Sequence, residues 1–111
     1  MVLSERKSRK MRKIRVMVKR PGKVPYMALV PDRLECLQAI VGGHIEVYPL
    51  CGNLAVVCNA EGVLLGLPVN CYFDCNFWVG TIFFVSVVGS EFADCPTYAS
   101  MQSLLPTLWD L

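Results

Sequence analysis

The sequence lacks the short motifs that identify the common enzyme classes. It contains no Walker loop, no GxGxxG after a strand, no GxSxG nucleophile elbow and no HExxH helix. Each of these motifs positions a catalytic or phosphate-binding group, so enzymes that depend on them are excluded. We therefore expect a protein that is not an enzyme and that uses no cofactor.

Long apolar runs are also missing. Residues 1–13 (MVLSERKSRKMRK) contain no apolar core for a signal peptide. The most apolar stretch, residues 77–88, is interrupted by Gly80, Thr81 and Ser86 and is far shorter than the ~20 residues of a membrane-spanning helix. We expect a cytoplasmic protein with no membrane partner. In a reducing cytosol its 6 cysteines are expected to stay free thiols.

Metal-binding patterns are weak. Histidine occurs once, at His44, and no two cysteines have the CxxC spacing of a structural zinc site. Folding could bring together Cys51, Cys58, Cys71 and Cys75, but buried or incidental thiols are the preferred interpretation. We predict no metal site.

Positive charge is almost absent beyond residue 23. Ten of the 11 Lys and Arg residues lie in residues 6–23, whereas residues 24–111 carry one basic and eight acidic residues, a formal charge of −7. The basic segment could contact nucleic-acid phosphates, but it contains no aromatic residue for base stacking, so a solvated segment is preferred. A further alternative is an anion site between subunits, formed by Arg12, Arg15, Lys23 and Arg33.

The spacing of apolar residues predicts strands at both ends of the chain. Residues 13–19 alternate between apolar and mostly basic side chains, which predicts a half-buried strand with a basic face. A second strand is expected at residues 24–30, after the turn at Pro21 and Gly22. Residues 80–88 are apolar on both faces and are therefore expected to form a central strand.

The middle of the chain predicts a meander. Residues 45–48, 54–58 and 63–65 are expected to be consecutive strands with turns between them. Residues 67–77 have no clear period and are expected to form an ordered loop.

Two helices are expected. The first follows the second strand, with Asp32 as its N-cap, Glu35 completing a capping box and Gly42 ending it in a left-handed conformation. The second helix is expected to start at residues 94–97, to continue through the helically spaced apolar residues after them, and to end or kink at Pro106.

Together these elements predict a single α+β domain over residues 11–111. We expect a mainly antiparallel sheet of five to six strands, a helix after the second strand and a C-terminal helix. Residues 1–10 are charged or polar without a hydrophobic period, and they are expected to form a basic flexible extension.

Three stretches of the sequence resemble a family of small bacterial and phage proteins, domain of unknown function 3846. They are residues 41–50 (VGGHIEVYPL), residues 57–70 (VCNAEGVLLGLPVN), and residues 80–85 (GTIFFV) with Val88 and Gly89. The resemblance covers residues 11–103. It implies a compact α+β domain, often carried by gut Firmicutes, plasmids, integrated elements and phages, and it implies no activity.

The resemblance also implies two departures in this chain. Members typically start close to the first strand, so residues 1–10 are an extension. Members often carry a basic residue after the Leu-Pro-x-Asn segment, where this chain has Cys71. That difference disfavours an anion site at this position.

Candidate ligand-binding residues cluster on one predicted strand. His44, Glu46 and Tyr48 project from the same face, where a Glu-supported imidazole could act as a general acid or base. A solvated polar face has the same alternation and is the preferred interpretation. Asn59 and Asn70 complete the set of candidates, although asparagine is also typical of turns and caps.

The sequence favours a non-catalytic binding or interaction module of bacterial or phage origin, which sequesters or masks a protein partner. One alternative is a homo-oligomer that traps a small anionic ligand such as a signalling nucleotide. The other, less favoured, is a nucleic-acid-binding accessory protein that uses the basic N-terminal segment.

Overall fold

The fold contains eight strands and two helices in residues 12–111, the part of the chain that the computed structural model describes. The predicted extension, residues 1–10, lies outside the described residues. The strands are β1 (Lys13–Lys19), β2 (Tyr26–Pro31), β3 (Ile45–Pro49), β4 (Leu54–Asn59), β5 (Val69–Phe73), β6 (Asn76–Val79), β7 (Ile82–Val88) and β8 (Glu91–Ala93). The helices are α1 (Leu34–Val41) and α2 (Tyr98–Leu104), followed by a 3₁₀ helix at Pro106–Trp109. Neither α1 nor α2 is long and apolar enough to cross a membrane.

Six strands form one antiparallel sheet, five of them in the order β2-β1-β7-β4-β3. The short strand β8 pairs with the end of β7. It lies on the same side of β7 as β1, opposite β4. Strands β5 and β6 form a separate two-stranded hairpin. The structure confirms the α+β class, the mainly antiparallel sheet, the helix after the second strand and the C-terminal helix.

Strand β7 lies between β1 and β4 and separates two cores. Phe83 and Val85 belong to the first core, together with Leu37 and Val41 of α1. Phe84 belongs to the second core, which the β5–β6 hairpin, α2 and the 3₁₀ helix cover. A strand that is apolar on both faces needs a cover on each side. The prediction of a central strand in this region is confirmed.

Helix α1 ends as predicted but begins differently. Gly42 has φ +81° and its N–H donates to the carbonyl oxygen of Gln38, in the left-handed conformation that glycine adopts without strain. The predicted N-cap is wrong, because Arg33 occupies that position. The N–H of Asp32 instead continues the β1–β2 ladder by donating to the Arg12 carbonyl at 3.0 Å, and its carboxylate lies 3.7 Å from the Arg12 guanidinium.

Residues 67–77, predicted as a loop, contain the β5–β6 hairpin. A register shift between Val69 and Cys71 interrupts the alternation by which strands are recognised. The turn residues Asp74 and Cys75 both have positive φ, 54° and 60°, as a type I′ hairpin turn requires. The pair contains no glycine, so the usual signal for this turn is missing.

Residues 63–65, predicted as a strand, form turns instead. The N–H of Leu65 donates to the Glu61 carbonyl at 2.9 Å, and the N–H of Gly66 donates to the Val63 carbonyl at 3.1 Å. The side chains of this apolar segment are exposed rather than paired into the sheet.

Strand β1 does not have the predicted basic face. Met17 and Lys19 are both buried, because the hairpin and the C-terminal helices cover the face of the sheet to which they point. Lys13 is exposed, and Arg15 is half-buried.

Candidate functional site

A cleft opens between the edge strand β3, the turns after β4 and strand β6. Its volume is about 210 Å³, and its lining includes Glu46 and Tyr48 from β3, Cys58 from β4, Glu61 from the turns and Trp78 from β6. The antiparallel register places Glu46 opposite Cys58. Side chains from both strands therefore point to the face of the sheet that the hairpin partly covers.

Trp78 forms the wall of the cleft on the hairpin side. Its side chain is 6% exposed, stacks on Phe73 with 5.0 Å between ring centroids and meets the edge of Tyr48 at 5.3 Å. Its Nε1–H donates to the Phe73 carbonyl oxygen at 3.1 Å. Trp78 thus joins the hairpin to β3.

The cleft is negatively charged. Glu46 and Glu61 are exposed, and none of the residues that line the cleft is basic. Burial raises the pKa of Tyr48, and the neighbouring Glu46 raises it further. Burial, and then the charge of Glu46, raises the pKa of Cys58 to about 11. Tyr48 and Cys58 are therefore neutral at pH 7, and the charge of the cleft comes from the two carboxylates.

Asn59 and Gly62 hold the turns that form the opposite wall. Asn59 Oδ1 accepts from the Glu61 N–H at 2.8 Å, and its Nδ2 donates to the Val41 carbonyl at 3.2 Å. A Cβ on Gly62 would lie 2.8 Å from Val79 Cγ2, so only glycine allows the turn to approach β6 so closely. Both polar groups of Asn59 are thus engaged within the protein, although the residue lines the cleft.

Three exposed large apolar side chains line the cleft, and a fourth contacts one of them. We call Val63, Leu64, Tyr72 and Phe77 the hairpin surface; their exposed fractions range from 55% to 88%. Val63, Leu64 and Phe77 line the cleft, and the rings of Tyr72 and Phe77 are in edge-on contact with 4.8 Å between centroids. Three of these side chains therefore lie at the same cleft, and Tyr72 is connected to them through Phe77.

His44 and Asn70, the other predicted ligand-binding residues, do not line this cleft. His44 is exposed immediately before β3, and its carbonyl oxygen accepts the N–H of Ala60 at 2.8 Å. Asn70 joins the hairpin to the sheet, because its Nδ2 donates to the carbonyl oxygens of Lys19 and Gly80, each at 2.7 Å.

Lys19 lies buried beside Asn70. Its side-chain ammonium donates to Asn70 Oδ1 and to the Arg20 carbonyl, both at 3.1 Å, and within residues 12–111 no carboxylate forms an ion pair with it. Burial lowers the pKa of Lys19, and the nearby Cys71 opposes that shift. The Asn70 oxygen is therefore a main compensation for burying this amine.

The predicted anion-binding residues do not share a pocket with one another. Arg12 Nη2 donates to the Phe92 carbonyl at 3.0 Å, and Arg15 Nε donates to the Cys95 carbonyl at 3.1 Å. Both arginines also lie near carboxylates, and the Arg15 guanidinium is 3.9 Å from Asp94. They bind the segment around β8 to the start of β1.

The other two predicted anion ligands lie elsewhere. Arg33 precedes α1 and pairs with Glu35 at 2.6 Å. Lys23 is exposed after the turn between β1 and β2. All three arginines of the set are close to carboxylates of the same chain, which leaves Lys23 as the member without an ion pair among the described residues.

Comparison with known proteins places the cleft within a family domain. A family model described as "Domain of unknown function (DUF3846)" matches residues 14–105. The chain belongs to the DUF3846 family. No protein of curated function and no solved structure matches the chain. Every residue that lines the cleft lies inside the DUF3846 segment.

The cysteines of this DUF3846 chain are all unpaired. Cys51 and Cys75 are exposed, whereas burial raises the pKa of Cys71 to about 11 and that of Cys95 to about 12. Within residues 12–111, no three His, Cys, Asp or Glu side chains come close enough together to hold a metal ion.

The sequence-based candidates for the DUF3846 site did not include Glu61, Phe77 or Trp78. The last two are neighbours in a segment that lacked a clear period, and in the hairpin they point to opposite sides, Phe77 exposed and Trp78 buried. Two adjacent aromatics after an Asp-Cys-Asn turn are the signal that could have predicted this strand.

Proposed function

We propose that this protein is a non-catalytic interaction module that binds a partner protein through the hairpin surface. The observation that supports the proposal is the exposure of Val63, Leu64 and Phe77 at one cleft, with Tyr72 in contact with Phe77. Large apolar side chains grouped in this way, with polar residues around them, are typical of protein interaction sites. Turns and a hairpin that serve only to close a fold do not require them.

The dimensions of the adjoining cleft favour a protein partner over a small ligand. Sites for drug-sized ligands have volumes of roughly 300–1,000 Å³, whereas this cleft has about 210 Å³. Its carboxylates, Glu46 and Glu61, would also repel an anionic ligand such as a nucleotide. A single side chain of a partner fits the volume better.

We further propose that the module acts in the cytoplasm of a bacterium or of a phage-infected cell, where it sequesters or masks its partner. Six unpaired cysteines support a reducing compartment.

A paired capture experiment tests the proposed function. We expect the full-length protein, purified from its native host, to enrich a partner protein that the Leu64→Ser/Phe77→Ser variant enriches at least ~10-fold less. Buried apolar and aromatic residues at the centre of an interface often contribute about 2 kcal/mol each, and ~1.4 kcal/mol corresponds to tenfold in affinity. The measurement is quantitative mass spectrometry of the captured proteins.

The matched control is Leu29→Ser/Val88→Ser, which replaces two exposed apolar side chains away from the hairpin surface. This control is expected to retain the partner. Equal enrichment by all three proteins, or equal loss in both variants, would contradict the proposal. A small anionic molecule retained in native mass spectra would support the ligand-trapping alternative instead.

A further inference from the structure

The cleft beside the hairpin surface has the chemistry of a site for one basic side chain. We infer that it binds an arginine of the partner protein, with the guanidinium between Glu46 and Glu61 and against the aromatic rings of the cleft. This inference rests on the proposed function, because the arginine is supplied by the partner that binds the hairpin surface.

Charge complementarity is the first argument. Glu46 lies on β3 and Glu61 on the turns across the cleft, so a cation placed between the walls lies near two carboxylates. Planar guanidinium groups bind carboxylates through paired N–H donors, which a point-like ammonium cannot do.

The aromatic rings are the second argument. Tyr48 and Phe77 are exposed at the cleft and Trp78 forms its wall. Cations, and arginine more often than lysine, are attracted to the faces of such rings. The methylene groups of an arginine can contact the apolar rim while its head remains among the polar groups.

The carboxylates of the cleft have no basic partner within the described chain. None of the ion pairs within residues 12–111 includes Glu46 or Glu61. By contrast, Glu35 pairs with Arg33 and Asp94 with Arg15. The two cleft carboxylates are thus without a cationic partner among the described residues, and Glu46 also interacts with the Tyr48 hydroxyl.

The test uses two small probes and the full-length protein. Nα-acetyl-arginine methylamide carries the charge, and Nα-acetyl-citrulline methylamide has nearly the same shape without it. The chain has only two tryptophans, Trp78 and Trp109, so the two indole N–H signals in ¹H–¹⁵N NMR spectra report on the cleft and on a site outside it. We expect the arginine probe to shift the Trp78 signal in a saturable way, and the citrulline probe to leave it unchanged.

Variants assign the effect to the carboxylates. In Glu46→Gln/Glu61→Gln the dissociation constant of the arginine probe is expected to rise about fivefold, since two exposed carboxylates each contribute modestly. The charge-matched variant Glu35→Gln/Asp110→Asn, whose changes lie outside the cleft, should bind as the natural protein does.

Several results would overturn the inference: citrulline binding as tightly as arginine, no shift of the Trp78 signal, or equal binding by the two double variants. The outcome is independent of the capture experiment. If partner capture does not depend on the hairpin surface but the arginine probe still binds, only the proposed function is contradicted. Partner capture that depends on the hairpin surface, without arginine binding, would contradict only the arginine site.

Discussion

Trp78→Ala is expected to lower the free energy of unfolding by about 3–5 kcal/mol, the usual effect of deleting a large buried aromatic side chain. The variant loses the stacking contact with Phe73, the edge contact with Tyr48 and the Nε1–H donor to the Phe73 carbonyl. The Tyr48 contact connects the hairpin to the sheet, and the other two stabilise the hairpin itself. Urea unfolding followed by circular dichroism measures the change.

Trp109→Ala is the matched control for this variant. Trp109 is only half-buried, and its Nε1–H donates to the Tyr98 hydroxyl near the end of the chain, so a clearly smaller loss is expected. If Trp78→Ala does not fold, Trp78→Phe keeps a ring against Phe73 and is expected to lose about 1–2 kcal/mol. Losses of equal size at the two tryptophans would contradict the role assigned to Trp78.

Asn70→Ala is expected to lower the free energy of unfolding by about 3 kcal/mol. It removes two hydrogen bonds to backbone carbonyls of Lys19 and Gly80 and one from the buried Lys19 ammonium. Neutral hydrogen bonds contribute about 0.5–1.5 kcal/mol, and bonds to a charged group about 1.5–3 kcal/mol. The ammonium retains only the Arg20 carbonyl as a partner within the described residues. Urea unfolding again measures the effect.

Asn76→Ala on the same hairpin is the control for Asn70→Ala. Asn76 is exposed and donates one hydrogen bond, to the Asp74 carbonyl at 3.2 Å, so a loss below about 1 kcal/mol is expected. In a Lys19→Met background, Asn70→Ala should be less damaging, because no buried charge then loses its partner. Additive effects of the two substitutions would show that Asn70 does not compensate for the buried amine.

The sequence predicts the parts of the fold in which local and tertiary preferences agree. The alternation in residues 45–48, the two-sided apolar run at residues 80–88 and the left-handed glycine at Gly42 each have a single local interpretation. Each corresponds to an observed element, respectively β3, β7 and the end of α1. These elements establish the antiparallel sheet and its first covering helix.

The features of the fold that the sequence does not predict depend on tertiary packing. Lys19 belongs to an apparent basic face, yet it is 2% exposed because β5 lies over the end of β1 and supplies Asn70 as its partner. Asp32 has the chemistry of an N-cap, yet its N–H extends the β1–β2 ladder and its carboxylate lies near the Arg12 guanidinium. No local pattern encodes either contact.

The candidate site was predicted in part. Glu46 and Tyr48 lie on one face of β3 and do line the cleft, as their alternation indicates. The remaining wall comes from a hairpin whose turn, Asp74 and Cys75, lacks glycine and whose first strand carries a register shift. Without that hairpin, the sequence leaves the polar face of β3 open to solvent, with no cleft beside it.

The hairpin surface as a partner-binding site is tested most directly by site-specific photo-crosslinking in the native host. Benzoylphenylalanine is incorporated at position 64, on the hairpin surface, or at position 29, an exposed site on β2. After irradiation, a discrete adduct with a partner protein is predicted from position 64 and not from position 29. Adducts from position 29 alone, or no adduct from position 64, would contradict the proposed interaction surface.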